Sequence, residues 1–230
     1  MRLWQTDKEL FALAEKELFT CVVGDILDKR NLLHQYLPPE IHPLSPQMIV
    51  IGRAMPVLAG DAFQAAVEES ANPLSGKAFG LMLEALDDLK TGEIYISTGS
   101  SPRNALWGEL MSVRALRCGA RGAILNGYVR DTKKILALDF PTFSFGSYGQ
   151  DSAPRCKVHD FRIPIEIGGV SVRPGDILFG DIDGVVVIPT EVATETFTLA
   201  LEKVRAEKTV RKALEEGMSA AAAFRIHGVL

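Results

Sequence analysis

The stretch EIYISTGSSPRNALWGELMSVRALRCGARGAILNGYVRD, residues 93–131, decides the fold. Residues 93–97 alternate apolar and polar and are β-prone. Residues 104–119 read as a helix that closes on Gly119, and residues 122–126 read as a buried strand. A strand, a helix and a second strand in this order form a parallel crossover. Such a crossover delivers the carboxyl ends of both strands to one edge of the sheet, where ligands of open α/β folds bind.

Working outward, residues 7–18 have the apolar spacing of an amphipathic helix, and a second helical stretch follows Thr20. Residues 34–47 carry four prolines and are read as an extended or turning connection. Residues 48–59 are strand-like, and 76–92 read as a helix stopping at Gly92. Short strands then follow in PTFSFGS, in 158–172, in ILFGD and in VVVIP, with RPGD (173–176) and DIDG (181–184) as turns. A long helix opens at Pro189 and stops near Gly217. The expectation is an α/β chain with its later strands in a second, largely antiparallel layer and helices outside. One domain is expected over 1–230: a helical N-terminal portion (1–47), a sandwich core (48–189) and a C-terminal helix (190–217).

Composition bounds the function. The chain has 230 residues, 47% hydrophobic and 23% charged, with a formal net charge of -4. That is enough to build a large aliphatic core, and it argues against a nucleic-acid binder with a broad basic surface. An anionic substrate therefore needs a local positive site. The three cysteines form no CxxC and fit buried free thiols in a reducing compartment. The first residues lack the long apolar run of a signal peptide, and no stretch is long and apolar enough to span a membrane, so a cytoplasmic protein is expected.

The crossover brings together the loop after each strand. The first leads to Gly108-Glu109-Leu110-Met111, and the second carries Arg130 and Asp131. Amides at a helix N-terminus can hold a carboxylate. A guanidinium can hold a carboxylate or a keto oxygen. Two carboxylates suit a hard divalent ion such as Mg²⁺ that keeps several waters. Together these groups suit a small 2-keto acid bound beside a cation. The competing reading of Arg130-Asp131 is an ordinary surface ion pair or turn.

The acid at Glu109, twenty intervening residues, and Arg130-Asp131 inside NGYVRD resemble the motif of the RraA-like family. That family includes 4-hydroxy-4-methyl-2-oxoglutarate aldolases that also decarboxylate oxaloacetate. The resemblance continues through GDILDKR (24–30), IGRAMPV (51–57), CGARGAIL (118–125) and VRPGDILFGDIDGVVVIP (172–189), and covers residues 20–217.

It implies a ββα layered sandwich of swivelling-domain type, assembled into trimers or hexamers with sites between subunits. It implies Asp131 as metal ligand, with Mg²⁺ expected and Mn²⁺ as the alternative. Glu109 would hold metal-bound water, Arg130 the keto oxygen, and the amides of Gly108, Glu109, Leu110 and Met111 the pyruvyl carboxylate. Glu202 and Glu207 are both candidates for a glutamate contributed by a neighbouring subunit. Two departures from the pattern are Asn126, where relatives often carry aspartate, and the poorly matching segment 60–75.

The other function attached to the family is inhibition of a ribonuclease by direct binding, and the acid at Glu109 favours the enzyme. Among other chemistries, a Schiff-base aldolase would need a buried lysine, whereas Lys133 and Lys134 read as a solvated pair. A zinc aldolase would need clustered histidines, and His34, His42, His159 and His227 are scattered. Asp181 and Asp183 read as turn residues rather than ligands. No GxGxxG follows a strand, so dinucleotide binding has no support.

Overall fold

A computed structural model of the chain describes residues 3–62, 73, 74 and 76–227. The chain starts with helices α1 (Asp7–Glu17) and α2 (Thr20–Lys29). Thr6 Oγ1 accepts from the Glu9 amide at 3.2 Å while the Glu9 carboxylate accepts from the Gln5 amide at 2.7 Å. This reciprocal arrangement satisfies amides at the start of α1 that the helix itself leaves free. After β1 (His42–Pro43) comes β2 (Val50–Asp61), then the short helix α3 (Met82–Asp87). The crossover follows as β3 (Glu93–Thr98), β4 (Ala105–Trp107), α4 (Glu109–Cys118), β5 (Gly122–Leu125) and β6 (Tyr128–Val129). Next are α5 (Thr132–Ala137), β7 (Thr142–Ser144), β8 (Cys156–Phe161), β9 (Ile165–Ile167) and β10 (Val170–Val172). The hairpin β11 (Ile177–Asp181) and β12 (Gly184–Ile188) leads into α6 (Thr190–Glu215) and α7 (Ala220–His227).

The layered α/β architecture, with helices at the N-terminus and a long helix near the C-terminus, agrees with the expectation. The main sheet runs β1-β7-β5-β3-β2-β11-β12. Strands β2, β3, β5 and β7 are parallel neighbours. The later strands differ from expectation in where they go. Strand β11 pairs antiparallel with Val50–Arg53 and β8 with Val57–Asp61, both on the same side of the twelve-residue β2. They join the main sheet because β2 is long enough to serve two partners in succession. Its register shifts between Leu58 and Ala59, where the second pairing is under way. The β9–β10 hairpin remains separate.

Residues 34–44 close the sheet upon itself. Leu37 donates to the Val185 carbonyl at 2.9 Å and Val187 donates to Gln35 at 2.8 Å, which covers β12. A few residues on, β1 pairs with β7 at the opposite end. The proline-rich connection is thus a strap across both ends of the sheet, and prolines are tolerated because an edge needs only part of its amides. Inside the curl lie Val50, Ala54, Ile94, Ile96, Ile124, Phe143, Leu178 and Val185, capped by Ile165 to Val172 of the hairpin. Outside, alternate residues meet two helical layers. Ile51, Phe179 and Ile188 pack with α1, α2 and α6. Met55, Tyr95, Ala123 and Leu125 pack with α3, α4 and α5. The period-two pattern of β3 therefore feeds two cores at once.

Two helix expectations need correction. Residues 105–107 form strand β4 rather than the first turn of a helix, because they pair with β6 (below). Of residues 76–92, only 82–87 are α-helical. Gly119 and Gly217 end their helices as read, with positive φ (80° and 97°), whereas Gly92, also at positive φ (87°), lies in the turn before β3 because α3 already ends at Asp87. Asp181 ends β11, and Asp183 lies in the turn that leads to β12. The buried Asp181 carboxylate accepts from the Thr20 amide at 2.8 Å, the Thr20 hydroxyl at 2.7 Å and the Asp183 amide at 2.9 Å.

Asp181 therefore staples the start of α2 to the hairpin. Replacing it, Asp181→Ala, leaves buried donors without a partner and should lower the unfolding free energy by about 1–3 kcal/mol in urea denaturation.

Candidate functional site

The site begins with the local folding of residues 105–112. The Trp107 side chain is fully buried, 4.9 Å from the Tyr95 ring and stacked on Phe140 at 6.1 Å. Its indole N–H donates to Ser112 Oγ at 2.7 Å, and that hydroxyl donates to the Gly108 carbonyl at 3.2 Å. Trp107 thereby fixes the angle at which the chain enters α4. On the other loop, β6 runs parallel to β4, with Ala105 opposite Tyr128 and Trp107 opposite Val129. The Arg130 amide donates to the Trp107 carbonyl at 2.9 Å. Two loops that leave β3 and β5 separately are thus bonded to each other again at the sheet edge.

Asp131 follows in the left-handed conformation, φ 57° and ψ 27°, which aspartate tolerates better than most residues. Its carbonyl accepts the first bonds of α5, from Lys134 at 2.8 Å and Ile135 at 3.1 Å. Its side chain does not cap α5 but turns to the start of α4, with Oδ2 3.5 Å from the Glu109 amide. Gly108 makes room for it. A Cβ at that position would stand 3.1 Å from Asp131 Oδ2 and 3.5 Å from Arg130 Cγ.

Arg130 and Asp131 line one cleft of about 470 Å³ together with Gly108, Leu110 and Met111. Glu109 is in the cluster through its backbone. Its carboxylate lies 3.7 Å from Lys134 Nζ, and the side chain is not among those lining the cleft. Arg130 Nη1 is 3.2 Å from Asp151 Oδ1, and its Nε is 3.9 Å from Asp131 Oδ2. Sequence reasoning missed Asp151. It arrives on the returning segment after β7, where Ala105 donates to the Gln150 carbonyl at 2.8 Å and residue 151 bridges to residue 105. Nothing in the spacing of the chain marks it.

The other expected residues are placed as follows. Asn126 Nδ2 donates to Thr98 Oγ1 at 2.9 Å, so it ties the ends of β3 and β5 together. Glu202 and Glu207 both lie on α6. Glu202 is exposed, and Glu207 is 3.6 Å from Lys203 of the same helix. Lys134 is largely exposed, as a solvated lysine would be. Of the poorly matching segment 60–75, residues 63–72 and 75 lie outside the described residues.

Among the described residues no three His, Cys, Asp or Glu side chains cluster into a metal cage. A hard cation such as Mg²⁺ does not require one, since it is commonly held by one or two carboxylates and several waters. The Asp131 carboxylate suits that role: it is 42% exposed, and neither of its contacts, at 3.5 Å and 3.9 Å, is a short bond. The donor set fits a largely hydrated ion and does not fit a closed cysteine or histidine site.

Residues 20–187 match the RraA-like family, Aldolase/RraA, and the chain belongs to it. It is 28% identical over 196 residues to protein DlpA of Legionella pneumophila, covering 85% of this chain but only 30% of DlpA. It is 29% identical over 145 residues to a Halalkalibacterium halodurans protein named "Putative 4-hydroxy-4-methyl-2-oxoglutarate aldolase", covering 62% of this chain and 68% of that one. Among solved structures, a chain described among novel cellulases from gut-associated microbes superposes with a TM-score of 0.79 at 32% identity, covering 89% and 88%. Streptomyces coelicolor RraAS2, described as an unusual member of the RNase ES inhibitor RraA family, gives 0.77 at 20% identity, covering 90% and 99%, which shows the fold.

The loop after β3 that leads to this site is anchored by Asp61, whose Oδ1 accepts from the Ser101 amide at 2.8 Å and Ser100 Oγ at 2.9 Å. Hydrogen bonding from Ser101, joined by Ser100, holds the Asp61 carboxyl below its ordinary value of 3.8. The anchor is therefore fully present above that value and is lost as pH falls through the lowered one. Hydrogen exchange should show the Ser101 amide losing its protection in acid in the native protein, with an Asp61→Asn variant already less protected at neutral pH.

Proposed function

We propose that this protein is a lyase that cleaves the C3–C4 bond of 4-hydroxy-4-methyl-2-oxoglutarate-like 2-keto acids to release pyruvate. Oxaloacetate would be decarboxylated at the same site. The observation that carries this reading is the convergence of Arg130, Asp131 and the N-terminal amides of α4 on one end of a single cleft. The name borne by the Halalkalibacterium relative supports it.

The residues divide the work as follows. The amides at residues 108–111 and the positive end of α4 hold the substrate carboxylate. Arg130 donates to the 2-keto oxygen, where negative charge grows as the C3–C4 bond opens and its electron pair moves toward the carbonyl. Preorganised donors of this kind act where charge develops and need no rearrangement during the reaction. Asp151 holds the guanidinium from the far side and sets its direction. Asp131 would hold the divalent cation, Mg²⁺ or Mn²⁺; Glu109, whose carboxylate faces Lys134 here, would act through bound water after a change of rotamer. When bound, that ion supplies Lewis-acid polarisation of the keto group. In oxaloacetate, CO₂ departs in place of the second carbonyl product, which explains two activities at one site. A homotrimer or homohexamer is part of this reading, with Glu202 or Glu207 of a neighbouring copy near the cleft.

The test is pyruvate release from oxaloacetate, with and without EDTA, followed by restoration with Mg²⁺ or Mn²⁺. Metal-dependent release is expected. Its absence, combined with capture of an RNase E-type ribonuclease by the purified chain, would instead establish the regulator reading. Arg130→Ala should lower kcat by about 10²-fold or more while circular dichroism stays unchanged. Asp131→Ala should abolish the metal-dependent turnover. Normal turnover in either variant removes that residue from the scheme.

A further inference from the structure

Between the sheet and the cleft lies a second, smaller space. A recess of about 20 Å³ shares Phe79, Met82, Leu106 and Ser152 with the cleft, and the rest of its lining includes Tyr95, Ser97 and Cys156. Its position follows from the pleat of β3. Ile94 and Ile96 face the inside of the curl, so Tyr95 and Ser97 face the helical side, where the cleft lies. Ser97 sits in register between Val57 of β2 and Leu125 of β5, both fully buried aliphatics. A hydroxyl is the exception in that row. Tyr95 and Ser97 are 1% and 2% exposed within the single chain, so their burial does not depend on a neighbouring copy.

Among the described residues, neither hydroxyl has a hydrogen-bond partner, and neither does the hydroxyl of Ser152, which lines both spaces. Buried polar groups in folded proteins are nearly always satisfied, and leaving one unpaired is destabilising. None of the described lining residues of the recess is charged. Burial pushes the Tyr95 phenol and the Cys156 thiol above their ordinary values, so both keep their protons. The recess therefore offers neutral donors and acceptors and no counter-charge for an ion. A space of roughly 10–15 Å³ or more holds one water when about two to four polar groups surround it, and both conditions are met.

We propose that this recess is a subsite for one uncharged hydroxyl group held by Tyr95, Ser97 and Ser152: a water molecule in the free protein, or the hydroxyl of a ligand whose apolar stem lies against Phe79, Met82 and Leu106. Ser152 follows Asp151, the partner of Arg130, so the subsite opens beside the charged end of the cleft. A ligand without such a hydroxyl leaves the water in place, and that water can donate to a polar group of the ligand, a carboxylate included. The subsite would exist whatever reaction the cleft performs, so it and the lyase reading stand or fall separately.

The experiment is crystallographic and thermodynamic. Crystals of the native chain should show an ordered oxygen within about 3.2 Å of at least two of Tyr95 Oη, Ser97 Oγ and Ser152 Oγ. Crystals soaked in 1-butanol should carry the alcohol oxygen at that place, with the butyl chain toward Met82 and Leu106. The double variant Tyr95→Phe, Ser97→Ala, soaked alike, should lose that pose. In solution, Tyr95→Phe removes one oxygen and keeps the ring beside Trp107, and it should lower the urea midpoint because a bonded hydroxyl is lost. An unchanged or raised midpoint, or a recess without an ordered oxygen, overturns the water site. Butanol seated elsewhere, or held identically by the double variant, is binding at crystal concentration only and overturns the ligand subsite. Pyruvate release enters none of these readouts, so their failure leaves the lyase reading untouched.

Discussion

One backbone bond joins the two loops of the candidate site directly at Arg130: its amide donates to the Trp107 carbonyl at 2.9 Å. It belongs to the parallel β4–β6 ladder, which exists because β3 and β5 are parallel neighbours that release their loops at the same edge. Trp107 is immobilised by Tyr95, Phe140 and Ser112, so the carbonyl it presents is fixed by the core. Arg130 and Asp131 inherit that rigidity. The candidate site is thus carried by loops, but by loops tied to each other and anchored on a buried aromatic, which is what a preorganised donor requires.

The crossover was legible because its residues obey local rules. Residues 93–97 alternate, Gly119 supplies the left-handed stop, and residues 122–125 are continuously apolar, as a strand buried on both faces demands. The meeting of Arg130, Asp131 and the start of α4 follows from handedness and needs no knowledge of side-chain contacts. Strand β4 was not legible: three residues carry no period, and they are extended because β6 pairs with them. Asp151 was hidden for a related reason, since its approach to Arg130 depends on a loop returning from β7. The Glu109 carboxylate shows a further limit. Sequence spacing brings its backbone to the site, yet only the fold shows that its side chain faces Lys134 and not the cleft.

The cleft joins two surfaces of opposite character. At one end, an arginine is shared between two aspartates beside a helix N-terminus. At the other, side chains from α3 and α4 form an apolar wall. The first can stabilise negative charge on a carbonyl oxygen. Asp151 and Arg114–Asp87 keep the remaining charges at the boundary paired.

The strap formed by residues 34–44 bears on how the molecule is made. Gln35 bonds to Val187 across 152 positions of sequence, and Thr20 to Asp181 across 161. A ribosome must therefore synthesise the chain as far as β12 before residues 20–35 can find these partners. Until then the nascent sheet has bare margins, the condition that invites pairing with other chains. Separations this long also slow the search, since the loop entropy must be surrendered before any contact compensates it. The strap can accordingly be fastened across both margins of the sheet only after β12 has been made.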